Sequence, residues 1–129
     1  MKFKAAIFDL DGTLLDSMPF WDNLGLEYLR KKGINPPENI NKILKTMTLA
    51  QSVEYFKKEY LIPGSEDEIV KEMVGMIEDH YRYKIPLKAA ALSFLDMLYK
   101  NHVKMCIATA TERELAKAAL ERLGASKYF

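Results

Sequence analysis

At 129 residues, with 49% apolar and 29% charged side chains, the chain has the length and composition of one ordinary globular domain. Lys and Arg total 19 and Asp and Glu 18, so no net field recruits nucleic acid or an anionic membrane. No apolar stretch approaches the roughly 20 residues that span a bilayer, no signal-peptide cleavage pattern stands at the amino terminus, and a lone cysteine excludes an internal disulfide. A reducing, cytoplasmic setting is the expectation.

The first predicted element is a short apolar strand, AAIF, that runs into the string DLDGTLLDS at residues 9–17. Asp9 and Asp11 stand two apart at the strand's end, so the alternation of side chains points both to one side and Leu10 to an apolar layer. Gly12 lets the chain turn sharply away. Two carboxylates that converge this closely need a metal, a proton or a cation to coexist, and hard divalent cations suit them. Asp and Gly are also ordinary turn formers, so the pair by itself equally fits a solvated acidic turn.

A helical stretch follows. A helix from near Pro19 to Gly33 is expected to carry Phe20, Trp21, Leu24 and Tyr28 along one face. Pro36-Pro37 marks a break, and a short helix with Ile40, Ile43 and Leu44 comes next. Thr48 and Gln51 form a capping box ahead of Leu49, Val53, Phe56 and Tyr60 at helical spacing. Pro63-Gly64 ends that element, and Ser65 and Glu68 make another box opening a long helix with Ile69, Met73, Ile77 and Tyr81 inward. Ile85-Pro86 precedes a further helix near Leu87 to Lys100 containing Leu92, Leu95 and Leu98. VKMCIA, residues 103–108, then has the character of a buried parallel strand, which places Cys106 in the core as a packing residue. Thr109 sits at the carboxyl end of that strand, where open α/β sheets bind ligands, and Thr111 with Glu114 reads as a capping box opening the last helix. That helix start would aim free backbone N–H groups at an anion.

These motifs together carry a resemblance. DLDGTLLDS resembles the first signature of the haloacid dehalogenase superfamily, mostly phosphatases and phosphomutases, and Thr109 fits the place of its second. The helices between them are similar to the cap of the helical-cap, phosphatase and beta-phosphoglucomutase-like branch. The implied fold is α/β, a partial Rossmann-like parallel-sheet core (residues 1–16 and 85–129) with an inserted four-helix cap (residues 17–84). The resemblance implies that Asp9 is the nucleophile forming an aspartyl-phosphate. Asp11 would be the acid that protonates the leaving oxygen and then the base that activates water. Mg2+ would be held by the Asp9 carboxylate and the Asp11 main-chain carbonyl, and Thr109 and Ala110 would bind the phosphate. Dehalogenating relatives generally lack the second aspartate, so Asp11 points to phosphate and not halide. Small phosphorylated metabolites are the implied substrates, with a cap that closes over the site and contacts their non-phosphate part.

Candidate substrate contacts are Trp21, Lys45 and Thr48, although Trp21 also suits bundle core, Thr48 a helix cap and Lys45 a solvated face. His80, Arg82 and Lys84 form a polar cluster near the exit of the cap, a further candidate for substrate contact that better suits a solvated face. Relatives often carry Pro-Gly where the cap rejoins the core; Ala89, Ala90 and Ala91 stand there instead and suit a regular helix start.

Family members continue to a Lys and to acidic residues that complete the metal shell. Here LGASKYF, residues 123–129, resembles the lead-in to the third strand, and no strand follows it in this sequence. A sheet domain of roughly 60 residues buries only about 60% of its unfolded surface, and two parallel strands leave outer edges unpaired. Self-association, or a carboxyl-terminal segment completing the sheet, is therefore expected. The alternative to a phosphotransfer enzyme is an inactive fragment or binding module that associates through that exposed edge.

Overall fold

The computed structural model describes residues 2–129. In chain order the elements are β1 (Ala5–Phe8), α1 (Met18–Asp22), α2 (Leu24–Lys31), α3 (Ile40–Leu44), α4 (Leu49–Tyr60), α5 (Glu66–Tyr83), α6 (Ala91–Lys100), β2 (Lys104–Ile107), α7 (Arg113–Arg122) and a closing 3-10 turn, Ser126–Tyr128. Two compact units result, residues 1–18 with 79–129, and residues 19–78.

The first unit is built on β1 and β2, which pair in parallel with Phe8 opposite Ile107. Its core is aliphatic: Leu10, Leu15, Leu95, Leu98, Val103, Ala119 and Leu120 are buried. The Phe8 ring meets Phe94 and Phe129 edge-on at 6.2 and 6.3 Å between centroids, the geometry the aromatic quadrupole favours. Along both strands exposure alternates, so Ala6, Phe8, Met105 and Ile107 are partly covered while Ala5, Ile7, Lys104 and Cys106 are open. The expectation of a fully buried second strand, with Cys106 in the core, is thus overturned: Cys106 is exposed. An unbroken apolar run suits a strand covered on both faces, but the described residues cover only one.

The second unit packs α2, α3, α4 and the first part of α5 through Leu24, Tyr28, Ile40, Val53, Phe56, Ile69, Met73 and Ile77, all buried. Tyr28 and Phe56 stack at 6.0 Å. Both predicted capping boxes here form. Thr48 accepts from the Gln51 backbone while Gln51 accepts in return, and Ser65 and Glu68 do the same. The helix expected from Pro19 to Gly33 is instead divided at Asn23. There the side-chain amide donates to the Pro19 carbonyl at 2.7 Å, beside the Asn23 backbone N–H, which reaches the same carbonyl at 3.1 Å. Gly33 ends α2 as expected, at a φ of 79°, with Ile34 N–H bonded to the Leu29 carbonyl in a Schellman closure.

Two further expectations change. His80 belongs to no solvated cluster, being only 5% exposed; it follows Met76 and Ile77 on the inward face of α5, whereas Arg82 and Lys84 are exposed. The helix near Leu87 starts only at Ala91, because Ala90 adopts a left-handed conformation with a φ of 65°. A turn of the kind glycine serves is thus kept by alanine, and the start is irregular. Leu92 faces outward, 41% exposed.

Candidate active site

The string after β1 folds around one carbonyl. The backbone N–H groups of Thr13, Leu14 and Leu15 all point to the Leu10 carbonyl, at 3.3, 3.0 and 3.0 Å, and Gly12 N–H donates to the Leu15 carbonyl at 2.9 Å. Gly12 takes a φ of 75°, and a Cβ there would stand 3.2 Å from Met18 Cγ, so both conformation and space call for glycine. Leu10 is fully buried; Asp9 is exposed and Asp11 half-buried. One Asp9 oxygen accepts the Leu10 N–H at 2.8 Å, which fixes the carboxylate by a charge-assisted bond to its own loop.

Strand register brings the second motif to the first. Ala108 N–H donates to the Phe8 carbonyl at 2.8 Å, so the pairing runs on past Ile107 and the loop beginning at Thr109 starts beside Asp9. Within that loop, Thr109 Oγ1 accepts the Thr111 N–H at 3.1 Å, an arrangement that leaves the Thr109 hydroxyl proton available to donate. The outgoing and returning chains are also tied. Leu15 bridges Leu87 in antiparallel fashion, with Asp16 N–H on the Pro86 carbonyl at 2.9 Å and Lys88 N–H on the Leu14 carbonyl at 2.8 Å.

The Asp11 carboxylate has a hydroxyl on each oxygen. Tyr81, in the last turn of α5, donates to Oδ1, and Thr111 donates to Oδ2. Arg122, in the last turn of α7, donates through Nη2 to the carbonyls of Tyr81 at 3.0 Å and Ile85 at 2.7 Å. Those acceptors close the end of α5, where carbonyls lack helical partners. The predicted Thr111–Glu114 capping box is absent: α7 starts at Arg113, its N-cap is Glu112, and no side chain caps it. Thr111 stands one position too early and its hydroxyl faces Asp11.

Tyr81 was legible only as an inward-facing helix residue, although a buried tyrosine needs a partner for its hydroxyl. That need was the usable signal. Nothing near Arg122 in the sequence marks it.

In the second unit, Trp21, Lys45 and Thr48 line one cavity of about 700 Å³, together with Asn41, Ser52 and Met73. Trp21 is 42% exposed, a wall of that cavity and not bundle core. Thr48 also serves as the N-cap of α4.

The donor set suits a small hard cation. The Asp9 carboxylate and the Asp11 carbonyl would offer oxygen donors alone, and among the described residues no group of three His, Cys, Asp or Glu could hold a metal. Mg2+ commonly takes one or two carboxylates and completes its shell with water and substrate phosphate, so two protein oxygens fit it. No helix of the described residues is long and apolar enough to cross a membrane.

Comparison with known proteins bears on the family and the fold. A phosphorylated carbohydrates phosphatase of Thermotoga maritima is 27% identical over 141 residues, covering 98% of this chain and 58% of its own length. Hexitol phosphatase A of Escherichia coli is 28% identical over 120 residues, covering 92% and 53%. The chain thus spans little more than half of each. Among solved structures, a Thermotoga maritima protein assigned as a beta-phosphoglucomutase superposes with a TM-score of 0.85 at 20% identity, covering 98% of this chain and 59% of that one. A family hydrolase from Entamoeba histolytica gives 0.71 at 20% identity, covering 98% and 58%. At such identities these two structures bear on the fold alone. The model of the haloacid dehalogenase-like hydrolases matches residues 6–129, and with nearly every residue inside that match, the chain belongs to the haloacid dehalogenase-like hydrolase family.

Proposed function

We propose that the protein transfers phosphoryl groups from small phosphorylated metabolites through Asp9, as a phosphatase or phosphomutase. The observation that carries this is the parallel register, which starts the Asp9 and Thr109 loops side by side at the carboxyl ends of β1 and β2. In this reading residues 1–16 and 85–129 bear the chemistry and residues 17–84 form the cap. Trp21, Lys45 and Thr48, which share a cavity, contact the non-phosphate part of the substrate. The names of the two curated relatives, both phosphatases of phosphorylated carbohydrates or hexitols, support that substrate class.

An Asp9 carboxylate oxygen attacks phosphorus while the bond to the leaving oxygen breaks, and Asp11 gives that oxygen a proton. Water then attacks the aspartyl-phosphate, Asp11 takes its proton, and inorganic phosphate leaves with Asp9 restored. In a phosphomutase a second sugar phosphate replaces water. Thr109 Oγ1 and the Ala110 N–H hold the phosphate oxygens. The Asp9 carboxylate and the Asp11 carbonyl would hold Mg2+, which would supply positive charge against the transferring group.

The test is phosphate release from p-nitrophenyl phosphate and from a panel of sugar and hexitol phosphates with Mg2+. Activity in the wild type and none above background in Asp9→Asn is the expected result; equal rates in the two would overturn it. A second reading, a non-catalytic module that associates through its sheet, is favoured by Ile7, 73% exposed on the open face of β1.

A further inference from the structure

We infer that Tyr81 and Thr111 are positioning residues that hold the Asp11 carboxylate in one orientation. This deepens the proposed reading, in which Asp11 alternates between acid and base. Tyr81 donates to Oδ1 and Thr111 to Oδ2, so each carboxylate oxygen has its own hydroxyl, contributed from two elements far apart in sequence.

Two donors on two oxygens constrain more than one donor does. A single hydrogen bond leaves the carboxylate free to turn about it, whereas Tyr81 on Oδ1 and Thr111 on Oδ2 fix both its direction and its plane.

Both hydroxyls are themselves anchored. Tyr81 is 1% exposed, and its backbone carbonyl accepts from Arg122. Thr111 is fixed by its N–H on Thr109 Oγ1, which ties the Asp11 partner to the residue assigned to phosphate. Tyr28, the other fully buried tyrosine with a stacked ring, lies in the second unit and bears no relation to this carboxylate.

The first test needs no turnover. In the 129-residue chain, three-bond couplings from the Asp11 side-chain carbon to backbone nitrogen and carbonyl report its χ1 rotamer by NMR. A single rotamer in the wild type and averaged couplings in Tyr81→Phe, which keeps the ring, are expected. Thr111→Val gives an independent reading should Tyr81→Phe unfold. One unchanged rotamer in both variants overturns the inference.

The second test separates positioning from mere stability by leaving group. An alkyl phosphate needs a proton on its departing oxygen, whereas p-nitrophenolate leaves without one. Tyr81→Phe should lower kcat by about tenfold on a sugar phosphate and by less than about threefold on p-nitrophenyl phosphate, a fraction of what general acid catalysis contributes. An equal loss on both substrates overturns the positioning role. If Asp9→Asn releases phosphate as fast as the wild type, the phosphotransfer reading has failed, while the rotamer result still decides whether the two hydroxyls hold Asp11.

Discussion

Alanine is a poor residue for the conformation that Ala90 adopts. Its φ of 65° brings Cβ toward its own backbone, which costs about 1 kcal/mol or more for a residue with a side chain. The turn survives because its neighbours secure it: Lys88 N–H bonds the Leu14 carbonyl, Ala91 N–H bonds the Lys88 carbonyl, and Phe94 N–H bonds the Ala90 carbonyl as α6 begins. Glycine would fit the same backbone without the clash, at a loss of some unfolded-state restriction. Ala90→Gly should therefore raise stability by about 0.5 to 1 kcal/mol, read as a higher urea midpoint at unchanged slope. A lower midpoint would mean that the left-handed turn is not populated. The contrast with Gly12 is instructive, since there the positive φ meets a glycine and a methionine side chain already fills the space a Cβ would need.

At the scale of elements, Arg122 joins the last turn of α7 to the end of α5. One guanidinium nitrogen on α7 serves two carbonyls that close α5, those of Tyr81 and Ile85. Hydrogen bonds from a charged donor contribute about 1.5 to 3 kcal/mol where they are well sheltered. Arg122 has an exposed side chain with partly buried bonds, so Arg122→Ala should cost about 1 to 2 kcal/mol. Arg122→Lys should restore less than half, because a point charge on a flexible stem does not reproduce a planar donor. Chemical denaturation of the three proteins measures both. Contacts of this kind also explain what could be read from the chain beforehand. Thr48 with Gln51 and Ser65 with Glu68 are legible because a capping box closes within four residues, and nothing distant competes for either hydroxyl. Thr111 with Glu114 has the same local pattern and no box, because its hydroxyl is engaged by Asp11, far away in sequence. Tyr81 showed its periodicity but not its partner, and apolar spacing does not register the division at Asn23 between α1 and α2. Local pattern names an element; it is silent on which remote group a polar side chain will meet.

At the scale of the molecule, the strand pair presents an open face. Ile7 is 73% and Phe3 50% exposed, and Cys106, beside Ile7 in the register, is exposed as well. Apolar side chains on an uncovered sheet are a site for pairing or association. Cys106 reports directly on that face, since a thiol reagent reaches an open cysteine without unfolding. At low micromolar protein, labelling by a disulfide reagent should proceed within about tenfold of the rate in denaturant, because local opening adds no barrier to a group already exposed. Raising the protein concentration should slow it if a second copy settles on the sheet, by mass action. Ile7→Lys, which places a charge on the same face, should remove that concentration dependence while leaving the dilute rate unchanged. Slow labelling at every concentration would instead mean that the face is covered within one chain, and the exposed alternation along β1 and β2 would be wrong.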